Sequence, residues 1–240
     1  VADHIVIERN GDMLKSFLYQ FGLVIDLFFQ PLQEIMPTKF ATMDSNQIAS
    51  CTWPGKNPLM IRYHDEEWGV PLHDDDKLFE FLVLDAFQAG LSWQTILLRR
   101  ENFRRAFDGF DAEKIAMYDD EKVAQLLNDN GIIRNRLKIA ATISNAKAFL
   151  KIKQDYGSFD SYIWSFTNGR QVVNNWKDTS EIPPKTQLSD EMSRALIAKG
   201  FKFAGSTICY AFMQASGMVN DHLVSCVRHA ACVAEGRSKH

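Results

Sequence analysis

Asp85 sits in "KLFEFLVLDAFQAGLSW", a carboxylate in a strongly apolar run. Leu78, Leu82, Asp85 and Ala89 follow the i, i+4, i+7, i+11 series, so a helix would carry them on one face. Phe81, Leu84, Ala86 and Phe87 make that helix apolar nearly all round. A carboxylate in such a setting is costly unless it is paired or held for chemistry. Two readings follow: a structural Asp satisfied by a backbone N–H or an Arg, or the polar end of a pocket. Trp53, Tyr63, Trp68 and Trp93 lie in the flanking sequence. An ionised acid among aromatic faces suits a flat ring that is cationic or electron-poor. Each aromatic taken alone reads more readily as core.

A second constellation is Cys51, His64, His222 and Cys226. His222 and Cys226 are four apart in "DHLVSC", a spacing that puts both on one face of a helix. Cys51 and His64 lie in a Pro/Gly-rich, loop-like stretch. Two thiolates and two imidazoles suit tetrahedral Zn²⁺, and four protein ligands leave no position for water. Such a site would be structural, tying the segment near residue 51 to the C-terminal part. The competing reading makes Cys226 core and gives His64 an ordinary hydrogen bond; the spacings match no familiar zinc finger. Cys209 lies in an apolar helical run and reads as core, and Cys232 as a free thiol.

"KGFKFAGSTICYAF" has the form helix, Gly-containing turn, helix. It resembles a helix–hairpin–helix element, whose turn N–H groups and second helix start face a DNA phosphate. Lys199 and Lys202 flank the turn, Gly205 closes it, and Ser206 and Thr207 read as caps of the second helix. Further basic runs occur at Arg99, Arg100, Arg104 and Arg105, and at Arg134, Arg136 and Lys138. Each reads either as a solvated helix face or as local DNA contact.

These residues need helices to position them. Asp74, Asp75 and Asp76 open a segment running to Gly90, and Ser92 caps "SWQTILLRRENFRRAF". Asp119 and Asp120 open a helix that stops at Asn130-Gly131, and a long one runs from about Ile132 to Tyr156, ended by Gly157. Residues 158–166 read as a short aromatic helix and 167–188 as loop; Ser189 starts a helix that stops at Gly200. Period-2 alternation, repeats and low-complexity tracts are absent, so the fold class is all-α.

The chain has 240 residues and a net charge of −3, so a nucleic-acid surface has to be local. Four cysteines in this length make no disulfide scaffold; reduced thiols or metal ligands fit a cytoplasmic protein. Residues 1–45 read as an N-terminal extension, either a mis-called start or a short amphipathic docking helix. Lys15, Asp26 and Pro31 break its apolar run, so no membrane span is expected, and no small-residue cleavage site follows it, so neither is a signal peptide.

"CTWPGKNPLMIRYHDEEWGVP", "QAGLSWQTIL", "GIIRNRLKI", "GFKFAGSTICYAFMQASG" and "VNDHLVSC" closely resemble type I 3-methyladenine DNA glycosylases, over about residues 49 to 229. The resemblance implies a helix–hairpin–helix DNA glycosylase domain over 46–232 with a tail at 233–240. It implies a monomer that acts on double-stranded alkylated DNA and releases 3-methyladenine. It implies structural Zn²⁺ on Cys51, His64, His222 and Cys226, a base pocket at Trp53, Tyr63, Asp85 and Trp93, with Trp68 less firmly placed, and Gly90 and Leu91 filling the gap in the duplex. Tyr63 and Trp93 would sandwich the base. Many members carry Glu where this chain has Asp85, whose contact to the base would be longer or water-mediated. Asp221 would either steady the sugar cation or support the zinc ligands. A non-catalytic lesion binder and a zinc hydrolase of small molecules are the alternatives.

Overall fold

The computed structural model describes residues 51–237, and the expectations for residues 1–45 fall outside that range. At the centre lies helix α2 (Asp75–Gln88), in which every residue from Leu78 to Phe87 is buried. A helix apolar on all sides can only be satisfied by neighbours all round it. Those neighbours include α3 (Trp93–Leu97), α7 (Arg136–Tyr156), α8 (Phe159–Trp164) and α10 (Ser206–Ala215). Phenylalanines fill the seams, with ring centroids 4.8 Å apart for Phe79–Phe149, Phe149–Phe159 and Phe87–Phe103. Each such buried ring contributes about 1.5–3 kcal/mol.

The helix starts are written locally. Asp74, Ser92 and Asp119 each accept a hydrogen bond from a backbone N–H three residues on, opening α2, α3 and α6 (Asp120–Asn128). The run expected as one helix after Ser92 is two, α3 and α4 (Arg100–Ala106), and α5 (Ala112–Ala116) follows. α7 begins four residues later than expected because Asn135 caps it, and Gly157, at φ +85°, closes it. α9 (Gln187–Ala198) begins two residues before Ser189, with Thr186 as its cap and Ser189 completing a capping box. α1 (Pro58–Glu66) starts at Asn57, with Pro58 at its first position.

One feature departs from an all-α reading. β1 (Val172–Val173) pairs in parallel with β2 (Val219–Asn220), Val172 opposite Val219. The 167–188 segment is therefore docked on the C-terminal part of the chain, where a plain loop was expected. Gly217, at φ +67°, makes the turn between α10 and β2; a Cβ there would lie 2.2 Å from the Val70 carbonyl carbon, so only glycine fits. The chain ends in α11 (Val227–Arg237). Among the described residues no helix is long and apolar enough to cross a membrane.

Candidate functional site

Trp53, Tyr63, Trp68, Asp85 and Trp93 line one cavity of about 320 Å³, together with Gln88, Thr179, Ile182, Ala211 and Gln214. Such a volume is at the small end for a ligand pocket. Tyr63 comes from α1 and Trp93 from the start of α3. Asp85 is 2% exposed, and its Oδ2 has no hydrogen-bond partner; the indole Nε1 atoms of Trp53 and Trp93 are likewise unpartnered. Native interiors rarely leave such groups unmatched, so three in one cavity mark a place where a polar ligand completes the bonding. Burial pushes the Asp85 carboxyl well above the ordinary carboxylate range, and the Arg100 charge offsets only part of that. The acid expected to be ionised is held towards its neutral form.

The aromatic geometry differs from a sandwich. Tyr63 and Trp93 have centroids 5.1 Å apart and planes inclined by 48°. A ring held between two parallel faces needs them about 7 Å apart, twice the carbon contact distance of about 3.5 Å. The two form adjoining walls. Trp53 meets Trp68 edge-on at 5.0 Å and closes another side. A larger cleft of about 610 Å³ shares Tyr63, but its Arg100 pairs with Glu67 and its Arg104 with Glu101, so its polar groups satisfy one another.

The helix of Asp85 ends beside this cavity. Lys138, from α7 and buried, donates to the carbonyls of Phe87 and Ala89 at 2.8 and 2.6 Å, capping α2. Gly90 then turns the chain at φ +79°, and Leu91 stands 39% exposed before Ser92 starts α3. A Cβ on Gly90 would meet nothing, so the glycine is required by conformation. Lys138 is thus no surface base. Nor are Arg100 and Arg104 free bases: Arg100 pairs with Glu67 and Glu80, and Arg104 with Glu80 and Glu101, whereas Arg105 is exposed and meets the uncharged Asn102 amide. Arg134 and Arg136 remain exposed.

Cys51, His64, His222 and Cys226 are all buried, and their donor atoms lie within 4.8 Å of one another. His222 Nδ1 is 3.1 Å from His64 Nε2, 3.7 Å from Cys226 Sγ and 3.8 Å from Cys51 Sγ. Tetrahedral zinc with ordinary bond lengths sets its ligand atoms about 3.3–3.8 Å apart, so the set fits. The outer nitrogens agree. His222 Nε2 lies 2.8 Å from the Trp68 carbonyl and His64 Nδ1 2.7 Å from Asp65 Oδ1. Protons on those atoms leave the two facing nitrogens as lone pairs, a pairing that repels unless a cation sits between. The local structure is not as the spacing implied: His64 is on α1, and His222 and Cys226 flank a turn that precedes α11.

The turn between α9 and α10 is held from below. Asn145 of α7, 1% exposed, accepts from the Lys202 N–H at 2.7 Å and donates to its carbonyl at 3.0 Å. Gly205 is the N-cap residue of α10 and supplies no side-chain bond, so Ser206 and Thr207 are not caps; Ser206 Oγ instead meets Ser189 Oγ at 2.8 Å. Lys202, Gly205 and Thr207 are exposed.

Asp221 is fully buried and saturated. Oδ1 accepts from Asn174 Nδ2 and Trp176 Nε1 at 2.7 and 2.8 Å, and Oδ2 from Tyr210 Oη and Gln214 Nε2 at 2.6 and 2.7 Å. It bonds neither His222 nor His64, and it is not among the residues that line the aromatic cavity. Neither role expected of it fits that bonding. Gln88, three residues after Asp85 on one helix, was findable from spacing; Thr179, Ile182, Ala211 and Gln214 carried no local signal.

A mostly helical body with an aromatic cavity that ends in an unpartnered acid is the architecture of a protein that takes up a flat heterocycle. Residues 53–229 match the model of the methyladenine glycosylase family, and the chain belongs to it. It is 51% identical to DNA-3-methyladenine glycosylase 1 of Escherichia coli (strain K12), over 73% of this chain and 94% of that protein. It is 45% identical to DNA-3-methyladenine glycosylase of Haemophilus influenzae (strain ATCC 51907 / DSM 11121 / KW20 / Rd), over 73% and 95%. Its fold matches a solved single-residue variant of 3-methyladenine DNA glycosylase I (TAG) in complex with 3-methyladenine, with TM-score 0.72 and 34% identity over 74% of this chain and 95% of that one.

Proposed function

We propose that this chain is a DNA-3-methyladenine glycosylase, a repair hydrolase that cuts the N-glycosidic bond of N3-methylated adenine in duplex DNA. The observation that carries the reading is the unpartnered Asp85 carboxyl at the wall of a base-sized aromatic cavity. The base must leave the stack first, at a cost of about a few kcal/mol. Leu91, exposed on the Gly90 turn, would occupy the gap it leaves. Trp53, Tyr63, Trp68 and Trp93 then provide ring faces and edges, and Asp85 accepts from the exocyclic N–H of the base. The cationic base draws Asp85 back to its ionised form, so their attraction develops only when the lesion is bound.

The C1′–N9 bond breaks with both electrons passing to the base. That cancels the methylated ring's positive charge, and 3-methyladenine departs neutral. Water adds to the oxocarbenium carbon and gives its proton to solvent, leaving an abasic sugar. Little acid catalysis is needed; recognition is the enzyme's main task. No lysine lines the cavity, and Lys138 is committed to two carbonyls, which favours hydrolysis over a Schiff-base route.

In the same reading Cys51, His64, His222 and Cys226 hold structural Zn²⁺, a closed set that supplies no reactive water. The α9–α10 turn serves as a helix–hairpin–helix element, with Lys202, Gly205, Ser206 and Thr207 at a DNA phosphate. Residues 46–232 form the glycosylase domain. The test is incubation with methylated duplex DNA and chromatography of what is released. Free 3-methyladenine is expected; retention of the DNA without any released base would make the chain a lesion binder.

A further inference from the structure

Gln214 lies on α10, lines the aromatic cavity, and gives its Nε2 to Asp221 Oδ2 at 2.7 Å. A carboxylate has no hydrogen to offer, so the amide must turn its NH₂ end towards it. The orientation is over-determined, because Asn174, Trp176 and Tyr210 occupy the other acceptor sites of Asp221. Three donors at 2.6–2.8 Å hold the carboxylate fixed, and the carboxylate fixes Gln214. The amide end left for the cavity is the carbonyl Oε1.

That matters for which purine the cavity takes. Adenine carries an amino group at position 6, a donor; guanine carries a carbonyl there, an acceptor. Asp85 cannot separate them alone, since a carboxyl that gains a proton donates as well as accepts. A glutamine locked with its oxygen outward cannot adapt in that way. We propose that Gln214 is a specificity-determining residue, an acceptor for the position-6 amino group of methylated adenine, and that Asp221 is the positioning residue that stops its amide from turning. This rests on the glycosylase reading above. Methylated guanine would set carbonyl against carbonyl, a mismatch of the kind that rejects analogues strongly in buried polar sites.

The test uses duplex DNA methylated so that it carries both 3-methyladenine and 3-methylguanine, with each released base quantified. The unaltered chain is expected to prefer 3-methyladenine. Gln214→Leu should lower that preference about tenfold, the effect of one hydrogen bond, mainly by slowing release of 3-methyladenine. Asp221→Asn, whose amide lets Gln214 present either end, should shift the ratio the same way. Affinities for the two free bases, read from tryptophan fluorescence, should follow. A merely structural role would slow both bases alike; an unchanged ratio in a folded Gln214→Leu chain overturns the proposal even if Asp221→Asn fails to fold. Release of neither base by the unaltered chain would sink the glycosylase reading itself, a separate result.

Discussion

His222 donates Nε2–H to the carbonyl of Trp68 at 2.8 Å, and the Trp68 ring stands edge-on to the imidazole with centroids 4.7 Å apart. One residue belongs to the four-ligand cluster and the other lines the aromatic cavity. Trp53 repeats the link: it meets His64 edge-on at 5.6 Å and Trp68 at 5.0 Å. The cluster and the cavity therefore share a wall. Whatever holds the four ligands together also sets how far Trp53 and Trp68 stand from Asp85.

If the proposed zinc is held by this cluster, Cys226→Ser should release it and destabilise the chain. Metal sites of this kind contribute to folding directly, because the unfolded chain has no preformed site. A loss of about 4 kcal/mol would lower Tm by roughly 8–16 °C in a domain of this size. Excision should fall secondarily, through the shared wall. Elemental analysis of the purified variant checks this: full metal retention would remove Cys226 from the ligand set.

Asp85→Asn should stabilise the chain at neutral pH while impairing it as an enzyme. Burial raises the folded-state pKa of Asp85 above its ordinary value of 3.8, so the folded chain holds more protons than the unfolded one. Stability contributed by the neutral acid is complete below that value and is lost as pH rises through the folded-state pKa. Asn carries no such loss. A neutral amide cannot ionise, so the variant should gain stability near pH 7, an advantage that shrinks as pH falls towards 4. Excision of 3-methyladenine should slow at least about tenfold. Denaturant titrations at two pH values and a base-release assay read the two effects; an unchanged release rate would strip Asp85 of its role.

Lys138→Met should cost stability and misplace the loop after α2. The ammonium is buried and donates to the carbonyls of Phe87 and Ala89. Met fills similar space and leaves both acceptors bare, a penalty of about 1–3 kcal/mol. DNA affinity would then fall through the displaced Gly90–Leu91 turn. A surface lysine on phosphate would instead weaken DNA binding with stability intact, so paired melting and binding measurements separate the two.

How much of this was legible follows from the range of the interactions. Asp74, Ser92 and Asp119 were readable as helix starts because a cap reaches only three residues along the chain. Asp85 stood out because a charge on the helix face set by Leu78, Leu82 and Ala89 violates a local pattern. The cysteines and histidines were readable as a set by chemistry, yet the four-residue spacing of His222 and Cys226 misled, since a turn spans it as well as a helix does. What stayed hidden bridges long separations. The Asn145 clamp on Lys202, the Asp221 clamp on Asn174 and the β1–β2 pairing join residues more than forty apart. Basic residues misled for a related reason: Arg100 and Lys138 look solvent-bound in sequence, and partners far along the chain bury them.

Leu91→Ala isolates base flipping from base recognition. Leu91 is 39% exposed on a turn fixed by Gly90 and by the Ser92 cap, so truncating it should leave stability within about 0.5 kcal/mol. It removes no atom from the residues that line the cavity, so affinity for free 3-methyladenine should hold. In duplex DNA the flipped base leaves a hole that apolar bulk must fill, and the unstacking cost is about a few kcal/mol. Losing part of that compensation should slow excision from duplex DNA about tenfold or more. A single strand has no such hole, and release of 3-methyladenine from methylated single-stranded DNA should change little. The duplex-to-single-strand rate ratio is therefore the measurement; an equal fall on both substrates would mean that Leu91 supports the cavity and leaves the duplex alone.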